Sequence, residues 1–197
     1  MTIRKAVKED LPAIYDIYEG ARSYMRTHGN PDQWGTTYPP RELTLEDIRQ
    51  ERLYVITRTA TEAEKDADTD VDTNTDINTD TDKKTETGKE NKQEIIEAVF
   101  VFDTKGEEAY NTIEGKWSYD EPYGVIHRVA SSGRVRNMTR TIFNFSLTKV
   151  PYIRIDTHRD NTTMQSALLR YGFRRCGTIY YTRNNSTSER TAFDFRA

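Results

Sequence analysis

A strand that runs into small residues and restarts as a helix sets the tightest limit on how this chain can fold. Residues 124–144 read Gly-Val-Ile-His-Arg-Val-Ala-Ser-Ser-Gly-Arg-Val-Arg-Asn-Met-Thr-Arg-Thr-Ile-Phe-Asn. Val125, Ile126, Val129 and Ala130 are apolar, and compact or β-branched, as a strand requires. Ser131-Ser132-Gly133 is a cluster of turn formers. Beyond it Met138, Ile142, Phe145 and Leu147 fall on one side of a helix. Such a junction leaves main-chain N–H groups open at the helix start. With the helix dipole and Arg134, Arg136 and Arg140 they make a seat for a pyrophosphate. The competing reading is a plain strand–turn–helix with solvated arginines.

The 197 residues fit one domain, residues 1–197, with an insertion at about 59–93. In that window 11 acidic and 5 basic residues run through a Thr-Asp repeat with almost nothing apolar. It repels itself and cannot offset its ordering entropy, so it reads as a disordered expansion of the hairpin between two strands. Its Asp-x-Asp spacing lacks the glycine, closing Glu and flanking helices of a calcium loop. The three scattered histidines and single Cys176 indicate no metal site, and Cys176 reads as a packed thiol of a reducing compartment. No apolar leader or membrane-length run is present, so a soluble cytoplasmic chain is expected, and the sequons at Asn137, Asn161, Asn184 and Asn185 carry no weight. Net charge is −3, yet residues 126–197 carry 13 basic against 4 acidic groups, leaving −12 for residues 1–125. A basic half suits a phosphate-bearing partner, a nucleotide-containing cofactor or nucleic acid, unless the two halves neutralise each other on folding.

In chain order, 2–7 predicts a strand and 8–26 a helix opened by Lys8-Glu9-Asp10 and stopped by Gly29-Asn30-Pro31. An aromatic loop carries Trp34 and Tyr38, which could wall a binding cleft or plug the core edge. Thr44 is the expected N-cap of a helix over 45–52. Strands are expected at 53–57, 94–102 and 152–157, the second of them central. A loop with Tyr110, Glu114, Trp117, Tyr119 and Tyr123 precedes the strand–turn–helix. A helix at 164–171 closes on Gly172, and strands at 173–182 and 191–195 end the chain. The pattern predicts an α/β sheet of mixed direction.

On these residues the chain resembles a GCN5-related N-acetyltransferase over its whole length apart from the acidic insertion. Ile3-Arg4-Lys5-Ala6 with Glu9-Asp10-Leu11 matches the start of that fold. Residues 124–149 stand in place of the acetyl-CoA motif, Ile153-x-Ile155-x-Thr157 with Asn161 in place of the fifth strand and its cofactor-side Asn, and Tyr171-Gly172-Phe173 in place of the helix-ending Gly-Phe. Asn30 to Trp34 (Asn-Pro-x-Gln-Trp) and Ile153 to His158 (Ile-Arg-Ile-Asp-Thr-His) resemble one bacterial type within the family. The resemblance implies a mostly antiparallel sheet of about six to seven strands flanked by about four helices, forming a single N-acetyltransferase domain. It also implies acetyl-CoA as co-substrate and direct attack of an amine on the thioester. Main-chain groups near Val129 and Ala130 would hold the acyl oxygen, and those from Arg134 through Val135, Arg136, Asn137, Met138 and Thr139 to Arg140, with Asn161, the cofactor.

Two positions depart from the family pattern. Asn137 and Thr139 replace the small residues of the Arg/Gln-x-x-Gly-x-Gly/Ala loop, although Asn tolerates the left-handed conformation. Leu168 stands where a Tyr often protonates the leaving thiolate; Tyr171, about a turn further on, and Tyr180 or Tyr181 on the next strand are the candidate acids, against packed or solvent-facing roles for all three. His127, two residues before Val129 and so expected on its face, is the leading base, with Glu114 and Glu121 as others. A structural sheet histidine is the other role open to His127, and His158 is expected to be structural. The substrate pocket would draw on Trp34, Tyr38, Tyr119 and Tyr123, around an amine of a small molecule or a protein. A homodimer is one assembly open to the chain; membrane attachment is not expected. The rival readings are a catalytically weak or inactive relative acting as a sensor and a nucleic-acid module, against which the acidic N-terminal half weighs.

Overall fold

The structure is a computed structural model and describes residues 1–61, 93–183 and 186–197. The expected disordered insertion lies almost wholly outside these residues. Strands and helices follow in the order β1 (Thr2–Lys5), α1 (Leu11–Thr27), α2 (Arg41–Arg49), β2 (Leu53–Thr59), β3 (Glu94–Asp103), β4 (Glu114–Gly115), β5 (Gly124–Ser131), α3 (Met138–Leu147), β6 (Tyr152–His158), α4 (Thr162–Tyr171), β7 (Arg174–Arg183) and β8 (Ser186–Arg196). They build one eight-stranded sheet in the order β1-β2-β3-β5-β6-β8-β7-β4. Every pairing is antiparallel except β5 with β6.

The sheet is covered on both faces because β3 is apolar on both. Phe100 and Phe102 join Ile126, Ile153, Phe143 and Leu168 beneath α3 and α4. Val99 and Val101 join Ile14, Tyr18, Trp34 and Val55 beneath α1 and α2. α3 buries Met138, Ile142, Phe143 and Ser146, while Phe145 and Leu147, expected on its buried side, sit at its flank. Gly172 caps α4 at φ 117°, and Leu168 O accepts from both Gly172 N (3.1 Å) and Phe173 N (3.0 Å).

Several expectations need correction. The first strand ends at Lys5, and Lys8–Asp10 form a 3₁₀ turn ahead of α1. α2 starts at Arg41 with Pro40 as its N-cap, so Thr44 is not a cap but is buried within the helix, its hydroxyl donating to Pro40 O (3.3 Å). The last strand reaches back to Ser186 and lies between β6 and β7. The eighth strand, β4, depends on a glycine pair: a Cβ on Gly115 would lie 2.2 Å from Cys176 O, and one on Gly177 2.2 Å from Glu114 O.

One irregularity shapes the centre. β5 pairs with β3 through Val101↔His127 and Val99↔Ala130, so Arg128 and Val129 together oppose Phe100. This is a β-bulge, and Arg128 takes φ 51° within it. The Arg128 guanidinium crosses to buried Asp47 of α2, Nη2 lying 2.8 Å from Oδ1 and 2.7 Å from Oδ2, and Arg52 Nε donates to the same carboxylate at 2.7 Å. Asp47→Ala leaves Arg128 buried without its carboxylate and is expected to cost about 3–5 kcal/mol. Glu46→Ala, which loses only contacts to Arg49 and Gln50 on the outside of α2, should stay within about 0.5 kcal/mol. Urea unfolding checks both, and an equal cost for the two would contradict the role given to Asp47.

Candidate active site

β5 and β6 pair only through Gly124↔Ile153 and Val125↔Arg154. Beyond those pairs the strands separate, and the inner edge of β5 has no ladder partner in β6. Two hollows open at this split and meet at Met25, Val129, Asn161 and Met164.

The larger, about 750 Å³, runs past Val129 to Arg134 and along Met138, Thr139 and Ala167, with α1 as its other wall. Asn137 takes the left-handed conformation (φ 65°) and turns the chain into α3. The bond from Thr141 N to Asn137 O (3.1 Å) leaves the N–H groups before it as open donors of the helix start. Thr139 lines the hollow without closing it, and exposed Asn137 stays clear of it. Arg136 and Arg140 are exposed and form no ion pair among the described residues. Half-buried Val135 packs against the α3–α4 core rather than lining the hollow.

Arg134 does not reach out as expected. Its Nη2 donates to Ile96 O (3.0 Å) and its Nε lies 3.2 Å from Glu97 Oε2. Glu97 is fully buried and also takes Arg58 Nε (2.7 Å) and the Ser132 hydroxyl. These contacts hold the Glu97 carboxyl below the usual range although burial opposes them. Arg134 is thus a brace beneath the loop. Asn161 is engaged too: its Oδ1 accepts Met164 N (3.0 Å) as the cap of α4 and its Nδ2 donates to Gln33 Oε1 (2.8 Å). Gln33 Oε1 also accepts Asn30 Nδ2 (2.7 Å). The Asn-Pro-x-Gln-Trp loop is thereby tied to the start of α4 across the split.

The second hollow, about 390 Å³, lies on the opposite side, walled by Trp34, Tyr38, His127, Arg128, Asp156 and Tyr181. The bulge reverses one expectation: His127 pairs with Val101 and faces α1 and α2, whereas Val129 packs toward α3 and α4. His127 Nε2 donates to Glu107 Oε2 (3.1 Å), and its Nδ1 lies 3.9 Å from Asp156 Oδ1. The Tyr110 and Tyr181 hydroxyls donate to that same oxygen at 2.8 and 3.1 Å. Burial, chiefly, pushes both phenols well above their ordinary pKa, and Asp156 adds to this. Tyr181 is therefore committed to Asp156.

Five candidates, Glu114, Tyr171, Tyr119, Tyr123 and Glu121, fall outside the site. Glu114 is on the far edge strand, accepting the Tyr180 hydroxyl (3.0 Å). Tyr171 packs its ring among Phe143, Phe173 and Phe195 and donates to Asn144 Oδ1 (2.7 Å), so it faces neither hollow. Tyr119 and Tyr123 enclose Arg154 instead of walling the cleft: Arg154 Nη2 donates to Tyr119 O (2.8 Å) and its guanidinium lies 4.0 Å above the Tyr123 ring. Glu121 pairs with Arg196 at 3.1 Å. Leu168 is fully buried core. His158, its pKa lowered mainly by burial, accepts Asp160 N (3.3 Å) at a strand end. Burial first, and Asp194 next, push the Cys176 thiol up to about 12, too high for a nucleophile. Sequence reasoning passed over Glu107, whose position in an irregular segment gave no pattern, and Asp156, which lay inside the noted Ile-Arg-Ile-Asp-Thr-His run.

No protein-family model and no curated protein matches this chain. Solved structures do. A GNAT-family acetyltransferase from Streptococcus agalactiae is similar at 24% identity and TM-score 0.71, over 100% of this chain and 95% of that one. A GNAT-family acetyltransferase from Listeria monocytogenes matches at 15% identity and TM-score 0.59, over 100% and 94%. A ribosomal-protein-alanine N-acetyltransferase from Brucella melitensis matches at 13% identity and TM-score 0.52, over 100% of both chains. The chain has the fold of the GCN5-related N-acetyltransferases. Among the described residues no helix is long and apolar enough to cross a membrane, and no cluster of His, Cys, Asp and Glu could hold a metal.

The Glu107 carboxyl sits below the usual range, chiefly through its hydrogen bond to His127, while burial opposes the shift. Its folded-state pKa thus lies under the unfolded value of about 4.3. The pair stabilises fully above that value and the contribution is lost as pH falls through the lower folded value. Glu107→Gln should be less stable than the parent at pH 7, with the gap narrowing as pH is taken below about 4.3 to pH 3. Urea midpoints at both pH values test this; a gap that persists in acid would contradict it.

Proposed function

We propose that the protein is an acetyl-CoA-dependent N-acetyltransferase in which His127, held by Glu107, removes a proton from an amine. The observation that carries this is the split between β5 and β6, which joins a groove ending on an open helix start to a cleft containing an imidazole. Acetyl-CoA would supply the activated acyl group as a thioester. Its diphosphate fits the donors from Val135 to Arg140, with the charges of Arg136 and Arg140 beside them. The bulge at Arg128 and Val129 sets main-chain groups of β5 at the point where the two hollows meet, suited to an acyl oxygen.

With Nε2–H donated to Glu107, His127 keeps its Nδ1 lone pair for the acceptor. An incoming ammonium loses a proton to Nδ1, and Glu107 stabilises the resulting imidazolium. The freed nitrogen pair then forms the C–N bond as the C–S bond breaks. The second nitrogen proton leaves with the departing sulfur, so an amide, a thiol and one released proton result. Two candidate acids are not placed for that role: Tyr171 faces neither hollow, and Tyr181 already donates to Asp156.

Calorimetric titration with acetyl-CoA should show micromolar binding, and a screen of amines for thiol release should find turnover. His127→Ala is expected to lower kcat about 100-fold at pH 7. The loss should lessen as pH rises and free amine accumulates, with acetyl-CoA affinity unchanged. A variant as active as the parent would remove His127 from the mechanism, and absence of acetyl-CoA binding would favour a non-catalytic relative. Thr139→Gly should bind acetyl-CoA at least as tightly as the parent; weaker binding would make the threonine hydroxyl a ligand.

A further inference from the structure

Two guanidinium groups line the acceptor cleft, and they differ in what they already hold. Arg128 is committed to Asp47. Arg190 on β8 forms no ion pair among the described residues: its Nε donates to Ser188 Oγ (3.2 Å), and its guanidinium stands 5.8 Å from the centre of the Tyr181 ring. Arg190 is half buried, where a cation gains most from an anionic partner. The other end of the cleft is built for the opposite charge, with His127, Glu107 and Asp156 converging there.

The sheet fixes the distance between these ends. Asp156 pairs with Ala192, and Arg190 pairs with His158, one strand over and two residues further along. Strand spacing and rise put the Cα atoms of Asp156 and Arg190 about 8 Å apart. Exposed Asp32 also lines the cleft, at its mouth on the 32–38 loop, and makes no ion pair with Arg190 among the described residues. A cleft of about 390 Å³ suits a small molecule.

We infer that the acceptor is a small amine that also carries an anionic group, its ammonium at His127, Glu107 and Asp156 and its carboxylate or phosphate on Arg190. This rests on the acetyltransferase reading of the same site. The geometry makes Arg190 a specificity residue: it binds the anion and takes no part in proton transfer. A simple polyamine would leave this guanidinium facing a second cation.

The test measures thiol release from acetyl-CoA with free amino acids, each beside its own carboxamide, and with 2-aminoethyl phosphate beside 2-aminoethanol. The anionic member of a pair should have the higher kcat/KM by about 10- to 100-fold, the range for a hydrogen bond to a charged group. Which pair shows the larger gap decides between carboxylate and phosphate. Arg190→Ala should erase that preference through KM while leaving the neutral member unchanged, and Arg190→Lys should restore part of it. Calorimetry with the same amines gives a readout independent of turnover. Arg190-dependent binding without thiol release would sustain the anion site and defeat acetyl transfer. Equal turnover of charged and neutral members, or of spermidine and the amino acids, would overturn the inference while leaving acetyl transfer standing. An absence of both binding and turnover would overturn both.

Discussion

The ion pair between Arg128 and Asp47 holds the central strand in a shape it would not adopt alone. A left-handed, non-glycine residue costs about 1–2 kcal/mol relative to regular strand geometry. Arg128 meets that cost with a side chain anchored to a buried carboxylate on α2, which Arg52 also grips. Helix α2 therefore braces the sheet from one side, three residues beyond the last pair of β5 with β6.

A second set of contacts fixes the width of the split. Asn30 and Asn161 both donate to Gln33 Oε1, which binds the loop after α1 to the cap of α4. On the far side, Arg154 and Asp194 fasten the segment before β5: Asp194 accepts Ser118 N (2.7 Å), the Ser118 hydroxyl (2.9 Å) and the Tyr152 hydroxyl (2.7 Å). This clamp keeps Glu107 within reach of His127, since both belong to elements at either end of the fastened segment. Residues that read as substrate contacts by composition, Tyr119 and Tyr123, are parts of the fastening.

Much of the architecture was legible because it follows from periodicity. The apolar run of β3, the strand–turn–helix at 124–147 and the glycine stop of α4 each announce themselves within a few residues. The groove residues around Val129, Ala130 and Met138 came with that motif. What could not be read locally depends on contacts between distant residues. Nothing at Glu114–Gly115 suggests a strand until Gly177 lies against it, and nothing near Glu107 suggests a partner for His127. Sequence alone assigns Arg134 to the phosphate seat, and nothing near it in the chain points to Glu97, some 37 positions away, as the partner of its side chain. Thr44 reads as a cap because Ser and Thr commonly begin helices, whereas Pro40 begins this one.

The supernumerary residue of β5 also inverts facing along a single strand. Before it, even-numbered Ile126 looks toward α3 and α4; after it, even-numbered Ala130 looks toward α1. Any relative with an uninterrupted ladder at this point, aligned residue for residue without a gap, would have positions that face its α1 and α2 matched to positions that face α3 and α4 in this chain. Correspondence across the centre of the sheet has to be drawn by facing rather than by count.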